Sequence, residues 1–393
     1  VSTSVIVAGA RTPIGKLSGA LGSFTAMQLG GFAIAAALER AGVAPDEVDV
    51  VLMGQVLQAG QGQITARQAA TLGGIPMSVH ATTINKVCLS GLNAIYLADL
   101  LVRAGEADVV VAGGMESMTQ APHLLPGARA GFRLGDATLV DAMLLDGLTC
   151  AFEHCAMGLS TERHNAGRVS RARQDAFSAA SHERAAAAIK NGLFADEIVP
   201  VEVPQRKGDP LVVDTDEGVR PGTTVESLAA LRPAFDPDGT ITAGNASQIS
   251  DGGAAVVVVS AARAATLDVA PLGELVAYGQ VAGPDASLLS QPANAITQAL
   301  NKASLSVADL DLVEINEAFA AVGLQSADEL GLDESRLNVN GGAIALGHPI
   351  GMSGTRLALT ALHELRRRGG GTAAVGLCGG GGQGDAAVLR TIG

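Results

Sequence analysis

The chain repeats itself, and that repeat narrows the possible folds more than any single motif does. A helix-like stretch followed by Ala41-Gly-Val-Ala-Pro-Asp46-Glu-Val-Asp49-Val-Val-Leu-Met-Gly-Gln55 returns as Ala303-Ser-Leu-Ser-Val-Ala308-Asp-Leu-Asp311-Leu-Val-Glu-Ile-Asn-Glu317. Further on, Ser90-Gly91, a helix-like run and a strand ending at Gly113-Gly114 return as Ser353-Gly354, a helix-like run and a strand ending at Gly379-Gly380. Asp49 answers to Asp311, Ser90 to Ser353 and Gly113 to Gly379 at a nearly constant offset, which chance does not produce across four elements. Two related α/β halves are expected, with roughly residues 120–250 inserted between them.

Within each half, short apolar runs read as buried strands: Val5–Val7, Val48–Met53, Val109–Ala112, Ala254–Val259, Leu310–Ile315 and Thr372–Leu377. Between them, Met27–Ala41, Leu92–Ala104, Ala293–Ala303 and Thr355–Arg368 are Ala- and Leu-rich at helical spacing. The alternation predicts an α/β protein with a mostly parallel sheet covered by helices on both faces. The expected organisation is a first half over 1–119 completed by 251–270, an insert over 120–250, and a second half over 271–393. The insert is rich in proline and turn residues and holds most of the cations, among them Arg163, Arg168, Arg171, Arg173, Arg184, Arg206, Arg220 and Arg232. It is either a solvated cationic face or a place for an anionic ligand.

Composition removes several classes. A net charge of −13 argues against a nucleic-acid-binding coat or a polybasic membrane anchor. The apolar run Val5–Ala10 is short for a signal-peptide core, and no stretch approaches the ~20 apolar residues of a membrane span. Four cysteines, Cys88, Cys150, Cys155 and Cys378, are too few for a disulfide scaffold in 393 residues, so free thiols in a reducing cytoplasm are expected. Only Cys150 and Cys155 are close together, without a second pair of metal ligands, so no metal site is expected.

Cys88 lies in Asn85-Lys-Val-Cys88-Leu-Ser-Gly91, just before a helix whose dipole favours a thiolate. The matching junction of the second half reads Gly347-His348-Pro349-Ile-Gly351-Met-Ser-Gly354. If the halves pack about a pseudo-twofold axis, Cys88 and His348 meet, and a Cys–His pair is the requirement for an activated sulfur nucleophile. Asn316, at the end of a strand, points into the crevice at the strands' carboxyl ends. Cys378 precedes Gly379-Gly-Gly-Gly-Gln-Gly384, which does not match the P-loop or dinucleotide fingerprints. A glycine-rich turn there offers N–H groups to an oxyanion beside a second thiol.

These motifs, in this order, resemble the thiolase family, which comprises the acetyl-CoA acetyltransferases and 3-ketoacyl-CoA thiolases. The resemblance runs from Arg11-Thr-Pro-Ile-Gly15 to the C-terminus. It implies a five-layered αβαβα fold of two halves with a loop domain inserted in the first, and CoA thioesters as substrates with no further cofactor. By that resemblance Cys88 is the nucleophile that takes the acyl group, and His348 activates it and helps stabilise the oxyanion of the second substrate. Cys378 is the acid/base at the acetyl methyl group. Asn316 holds a water that forms one oxyanion hole with His348, while the N–H groups of Cys88 and Gly380 form the other. Arg220, Ser227, Phe235, Ala243 and Ser247 resemble contacts to the adenine and pantetheine portions of CoA, and Leu148, Met157, Ala318 and Phe319 resemble the wall of the pantetheine tunnel. The reaction implied is the interconversion of two acetyl-CoA with acetoacetyl-CoA and CoA. A degradative thiolase of wider chain-length range and a non-catalytic acyl-CoA-binding relative are the competing readings.

The chain departs from the family pattern in places. Ala156-Met157-Gly158 stands where short-chain members have His-Met-Gly, with a histidine displaced to His154. Gly379 stands where Ile is common, and Leu288-Leu-Ser-Gln-Pro-Ala-Asn-Ala295 replaces Met-Gly-x-Gly-Pro-x-Pro-Ala. The first and third changes bear on acyl-chain length. Ser117 through Asp141 resembles the loop that pairs dimers into tetramers, so a homotetramer, or a dimer, is expected.

Overall fold

The structure, a computed structural model, describes residues 3–392. The first half builds β1 (Ser4–Arg11), α1 (Ala26–Ala41), β2 (Val50–Gly54), α2 (Thr65–Leu72), β3 (His80–Ile84), α3 (Ser90–Ala104) and β4 (Val109–Ser117). The following segment carries α4 (Met157–Asn165) and α5 (Arg171–Lys190), and then β5 (Ser250–Ser260) rejoins the first sheet. The second half supplies β6 (Glu274–Ala282), α6 (Gln291–Ala303), β7 (Leu312–Ile315), α7 (Ala320–Leu330), α8 (Ser353–Arg367), β8 (Thr372–Gly379) and β9 (Gln383–Arg390).

The first sheet has the order β1-β5-β4-β2-β3 and the second β6-β9-β8-β7. The orders correspond strand for strand, and a lone parallel bridge between Val313 and Leu337 stands where the second half would need its fifth strand. The expectation of a mostly parallel sheet is corrected here. β5 runs antiparallel to both β1 and β4, and β9 antiparallel to both β6 and β8, so both sheets are mixed. The cause at β8–β9 is connection length: a turn at Gly380–Gly382, with Gly381 and Gly382 at φ 81° and 67°, permits only an antiparallel return.

Alternating side chains of each strand enter different cores. Val110, Ala112, Val256 and Val258 of the first sheet face inward to Leu92 and Ile95 of α3, Leu357 and Leu362 of α8, and Val375 and Leu377 of the second sheet. Val109, Val111, Val257 and Val259 face outward to Ile34 and Ala37 of α1. Val313, Ile315 and Val388 face Ile296 of α6 and Leu324 of α7. The layers are therefore α1/α2, first sheet, α3/α8, second sheet and α6/α7: a five-layered αβαβα fold. Burial on both faces explains why the strand sequences read as unbroken apolar runs. The 18-residue stretch Val87–Ala104 is apolar enough to cross a membrane by composition, but its helix occupies the central layer.

The repeated Ser-Gly pairs mark where the two central helices touch. A Cβ on Gly91 would lie 2.7 Å from Thr355 Oγ1, and one on Gly354 would overlap the backbone nitrogen of Leu92. Only glycine lets both helix starts come this close. A buried cluster ties β1 to the segment after α5. Arg11 grips Asp216 through both terminal nitrogens at 2.7 and 2.9 Å and reaches Glu197 with Nε at 2.7 Å.

Candidate active site

Cys88 sits in the turn between β3 and α3, one residue after Val87, whose φ of 50° is a strained value for a β-branched side chain. Ser90 holds the turn: its Oγ accepts the Lys86 N–H at 2.8 Å and donates to the Val87 carbonyl at 2.6 Å. His348 enters from the other half. Gly347 before it adopts φ 109°, and a Cβ there would overlap Ser250 Oγ. The His348 N–H donates to Gln248 O and Ser250 Oγ at 3.1 and 3.2 Å.

The two side chains meet, with His348 Nε2 3.3 Å from Cys88 Sγ. On the far side of the ring Nδ1 lies 2.5 Å from Ser353 Oγ, which donates its own proton to Pro349 O at 2.9 Å. Nδ1 must therefore carry the proton and Nε2 the lone pair. Asn316, immediately after β7, places Nδ2 3.3 Å from the same Nε2. The imidazole is thus oriented as an acceptor toward the thiol.

Burial sets the protonation states. It pushes the Cys88 thiol up to about 12, with nearby Glu116 adding to the rise. Burial, aided by the charge of Arg356, pushes His348 down to about 3. The helix-dipole expectation of a resting Cys88 thiolate is corrected accordingly: desolvation outweighs the dipole, and thiol and imidazole are both neutral. Cys378, at the end of β8, is fully buried where Cys88 is partly exposed, and burial together with the neighbouring Cys88 raises the Cys378 thiol. The pair can move a proton only as a bond forms, and a Cys378 thiolate formed in such surroundings is a strong base.

Cys88, His348, Cys378 and Gly380 line one narrow cavity of about 60 Å³ with Val87, Gly147, Leu148, Met157, Ser247, Leu288, Ala318, Phe319 and Ile350. Asn316 joins it through its contact with His348, and its Oδ1 has no hydrogen-bond partner among the described residues. Two thiols, an imidazole acceptor and an amide around an apolar tunnel suit acyl transfer to sulfur.

The family described as the thiolase N-terminal domain matches residues 4–262, and the thiolase C-terminal domain matches residues 269–391. The chain belongs to the thiolase family. Among thiolase relatives, a probable acetyl-CoA acetyltransferase of Mycolicibacterium smegmatis is 60% identical over 387 residues, covering 98% of this chain and 100% of that one. The acetyl-CoA acetyltransferase of Cupriavidus necator is 52% identical over 390 residues, 98% of each chain. The crystal structure of the Bacillus anthracis acetyl-CoA acetyltransferase shares this thiolase fold with a TM-score of 0.96 at 39% identity, covering 100% of this chain and 99% of that one.

Of the CoA-contact candidates in this thiolase, Leu148, Met157, Ser247, Ala318 and Phe319 line the cavity that holds Cys88, His348 and Cys378. Phe235 lies one layer out, packed edge-on against Phe319 at 6.2 Å and over Gly158. Arg220, Ser227 and Ala243 are exposed and outside the cavity lining. Ala156 and His154 are exposed as well, whereas Leu288 is buried in the cavity wall.

Three residues that hold the site have no marked motif role. Ser353 was visible only as part of the repeated Ser-Gly pair. Glu116 is fully buried, pushed up to about 7 chiefly by burial, and accepts the N–H groups of Val56, Leu57 and Gly351, so it pins the His348 loop to the first half. Glu317 accepts from Ser181, Asn338 and the Ile344 N–H, anchoring that loop from the second half. The Glu in Asn-Glu-Ala-Phe was the available signal for it.

Proposed function

We propose that this protein is an acetyl-CoA C-acetyltransferase, interconverting two acetyl-CoA with acetoacetyl-CoA and CoA through an acetyl-Cys88 intermediate. The observation that carries this reading is the 3.3 Å Cys88–His348 contact at the end of a cavity that also holds Cys378. As Cys88 attacks the thioester carbonyl, its proton moves to His348 Nε2 and then to the departing CoA thiolate. In the second half-reaction Cys378, having passed its proton to His348, takes one from the methyl group of a second acetyl-CoA. The resulting carbanion attacks acetyl-Cys88, and the released Cys88 sulfur recovers the proton held by His348. Negative charge develops on two different oxygens. The N–H groups of Cys88 and Gly380 serve the acyl-enzyme oxygen, and a water held by Asn316 serves the enolate together with His348; each such donor is worth ~10²–10³ in rate.

A short acyl group is supported by relatives named as acetyl-CoA acetyltransferases at 60% and 52% identity. The pantetheine arm runs past Leu148, Met157, Ser247, Ala318 and Phe319 in this reading. Phe235 and Ala243 flank the tunnel mouth, and Arg220 and Ser227 meet the nucleotide end of CoA, within an insert spanning residues 120–250. No resident cofactor or metal takes part. We further propose a cytoplasmic homotetramer, a dimer of dimers. Leu125, Phe132, Leu134 and Leu139 are exposed at 42%, 50%, 100% and 61%, an apolar surface that a lone chain would leave in water.

The test is a thiolysis series comparing kcat/KM for acetoacetyl-CoA with those for six-, ten- and sixteen-carbon 3-ketoacyl-CoA. A collapse beyond four carbons is expected. A flat or rising profile makes the protein a degradative thiolase instead.

A further inference from the structure

The turn carrying Cys88 and the hairpin carrying Cys378 belong to different halves, and one ion pair joins them. Lys86, two residues before Cys88, places Nζ 2.7 and 2.8 Å from the two carboxylate oxygens of Asp385. Asp385 lies on β9 opposite Leu377, and the next register pair is Gly384 with Cys378. Its side chain is fully buried, while that of Lys86 retains 21% exposure. The carboxylate has a second donor, Tyr278 Oη on β6 at 2.8 Å, and the Tyr278 ring stacks on Tyr96 of α3 at 4.1 Å and 3°. The Lys86–Asp385 pair and the Tyr96–Tyr278 stack therefore cross between the halves, while the Tyr278–Asp385 bond lies within the second. Lys86 is also fixed at its base, because its N–H is bound by Ser90.

We infer that the Lys86–Asp385 pair is a positioning clamp that sets Cys88 against Cys378, and that it serves the carbon–carbon bond step rather than acyl transfer. The reasoning rests on the proposed two-step reaction. Acetylation of Cys88 needs the Cys88–His348 pair, which Asp385 does not touch. It draws on the Asp385 hairpin only through the Gly380 N–H, so a shift of the hairpin lengthens one hydrogen bond in the first step but displaces the base itself in the second. Condensation adds a demand: the carbanion made beside Cys378 must approach the acetyl carbon on Cys88 at bonding distance and angle. Misplacement by ~1 Å commonly costs ~10² in rate. The hairpin bearing Cys378 turns on glycines, and its packing on the first half is apolar, through Leu377 in the core that holds Leu89 and Leu92. A bidentate charge pair with a buried carboxylate supplies a fixed direction that apolar contact does not.

The clamp also keeps the local charge at zero. Burial raises the Asp385 carboxyl, and Lys86 chiefly opposes that rise, with Tyr278 and Gln280 helping to oppose it. Without Lys86 the site has either a protonated Asp385 that no longer grips the turn or an unpaired anion behind two sulfurs.

The experiment uses the full-length protein and compares two rates in Lys86→Met and Asp385→Asn. One is acetyl-Cys88 formation, followed by mass spectrometry after mixing with acetyl-CoA; the other is acetoacetyl-CoA formation. Condensation is expected to fall on the order of 10²-fold while acetylation changes only a few-fold. Lys86→Arg, which keeps the charge and two donors, should recover most of the condensation rate. Should Lys86→Met not fold, Lys86→Gln and Tyr278→Phe provide the same comparison with smaller disturbance. A loss of structure alone would lower both rates together, and that result, or no change in either, overturns the clamp. A wild-type protein that never forms acetyl-Cys88 overturns the acetyltransferase reading itself, and the inference with it.

Discussion

His348 and Ser353 are joined by a 2.5 Å contact between Nδ1 and Oγ, and the direction of that hydrogen bond decides which ring nitrogen faces Cys88. Because Ser353 Oγ donates to Pro349 O, it can only accept from the ring. Ser353→Ala removes the acceptor that keeps the proton on Nδ1, and the other tautomer would put an N–H against the Cys88 thiol. Orienting partners of this kind are worth ~10–100-fold by analogy with those that orient metal-bound histidines. The variant should lose activity in that range with KM little changed. Unaltered kcat would show that the tautomer is fixed elsewhere.

With Cys88 pushed up to about 12 and His348 down to about 3, the resting site is neutral between those values. Above its lowered pKa the histidine is uncharged, and below its raised pKa the cysteine is a thiol. The rate of Cys88 alkylation by iodoacetamide in the absence of substrate should therefore keep rising with pH through the alkaline range. A plateau between pH 6 and 8 would reveal a thiolate–imidazolium pair.

Gly354→Ala adds one methyl where α8 meets α3, against the backbone of Leu92. Backbone cannot yield as a flexible side chain does, so the helices must part. Overpacking of this kind costs ~1–3 kcal/mol. The expected result is a lower denaturation midpoint together with a drop in kcat, because Cys88 and His348 ride on the two helix starts. Stability lost with full activity retained would separate the helix contact from the catalytic geometry.

Leu288 forms part of the cavity wall and is 4% exposed. Leu288→Ala should enlarge the acyl end. One methylene is worth ~10–200-fold in discrimination, so the six-carbon to four-carbon ratio of kcat/KM should rise by ~10-fold or more. An unchanged ratio would place the chain-length stop at another residue.

The meeting of Cys88 and His348 was legible in the sequence because the repeat placed them at matching corners, and the glycines around them marked tight backbone. The strands buried on both faces were legible for a related reason: Val109–Ala112 and Ala254–Val259 carry no polar interruption. β3 escaped notice because His80–Ile84 is a partly exposed edge strand containing two threonines. β9 escaped because it opens on Gln383-Gly384 and carries buried Asp385, whose partner lies in the other half. The roles of Ser353 and Glu116 depend on hydrogen-bond direction and on three converging N–H groups, which no spacing rule encodes. Exposed positions such as Arg220 and Ser227 leave no packing signature at all.

The residues that bracket the insert are neighbours in the first sheet: Ser117 ends β4, and Asp251, its register partner, lies at the start of β5. The whole intervening segment is, topologically, an overgrown hairpin loop. Closing a loop whose ends are already paired costs free energy that grows only as the logarithm of its length. The two sheets can therefore carry an insert of very different size with little entropic penalty. The segment between β4 and β5 could be lengthened, shortened or replaced as a block, while the strands and helices that bring Cys88 and Cys378 to one cavity remain in register.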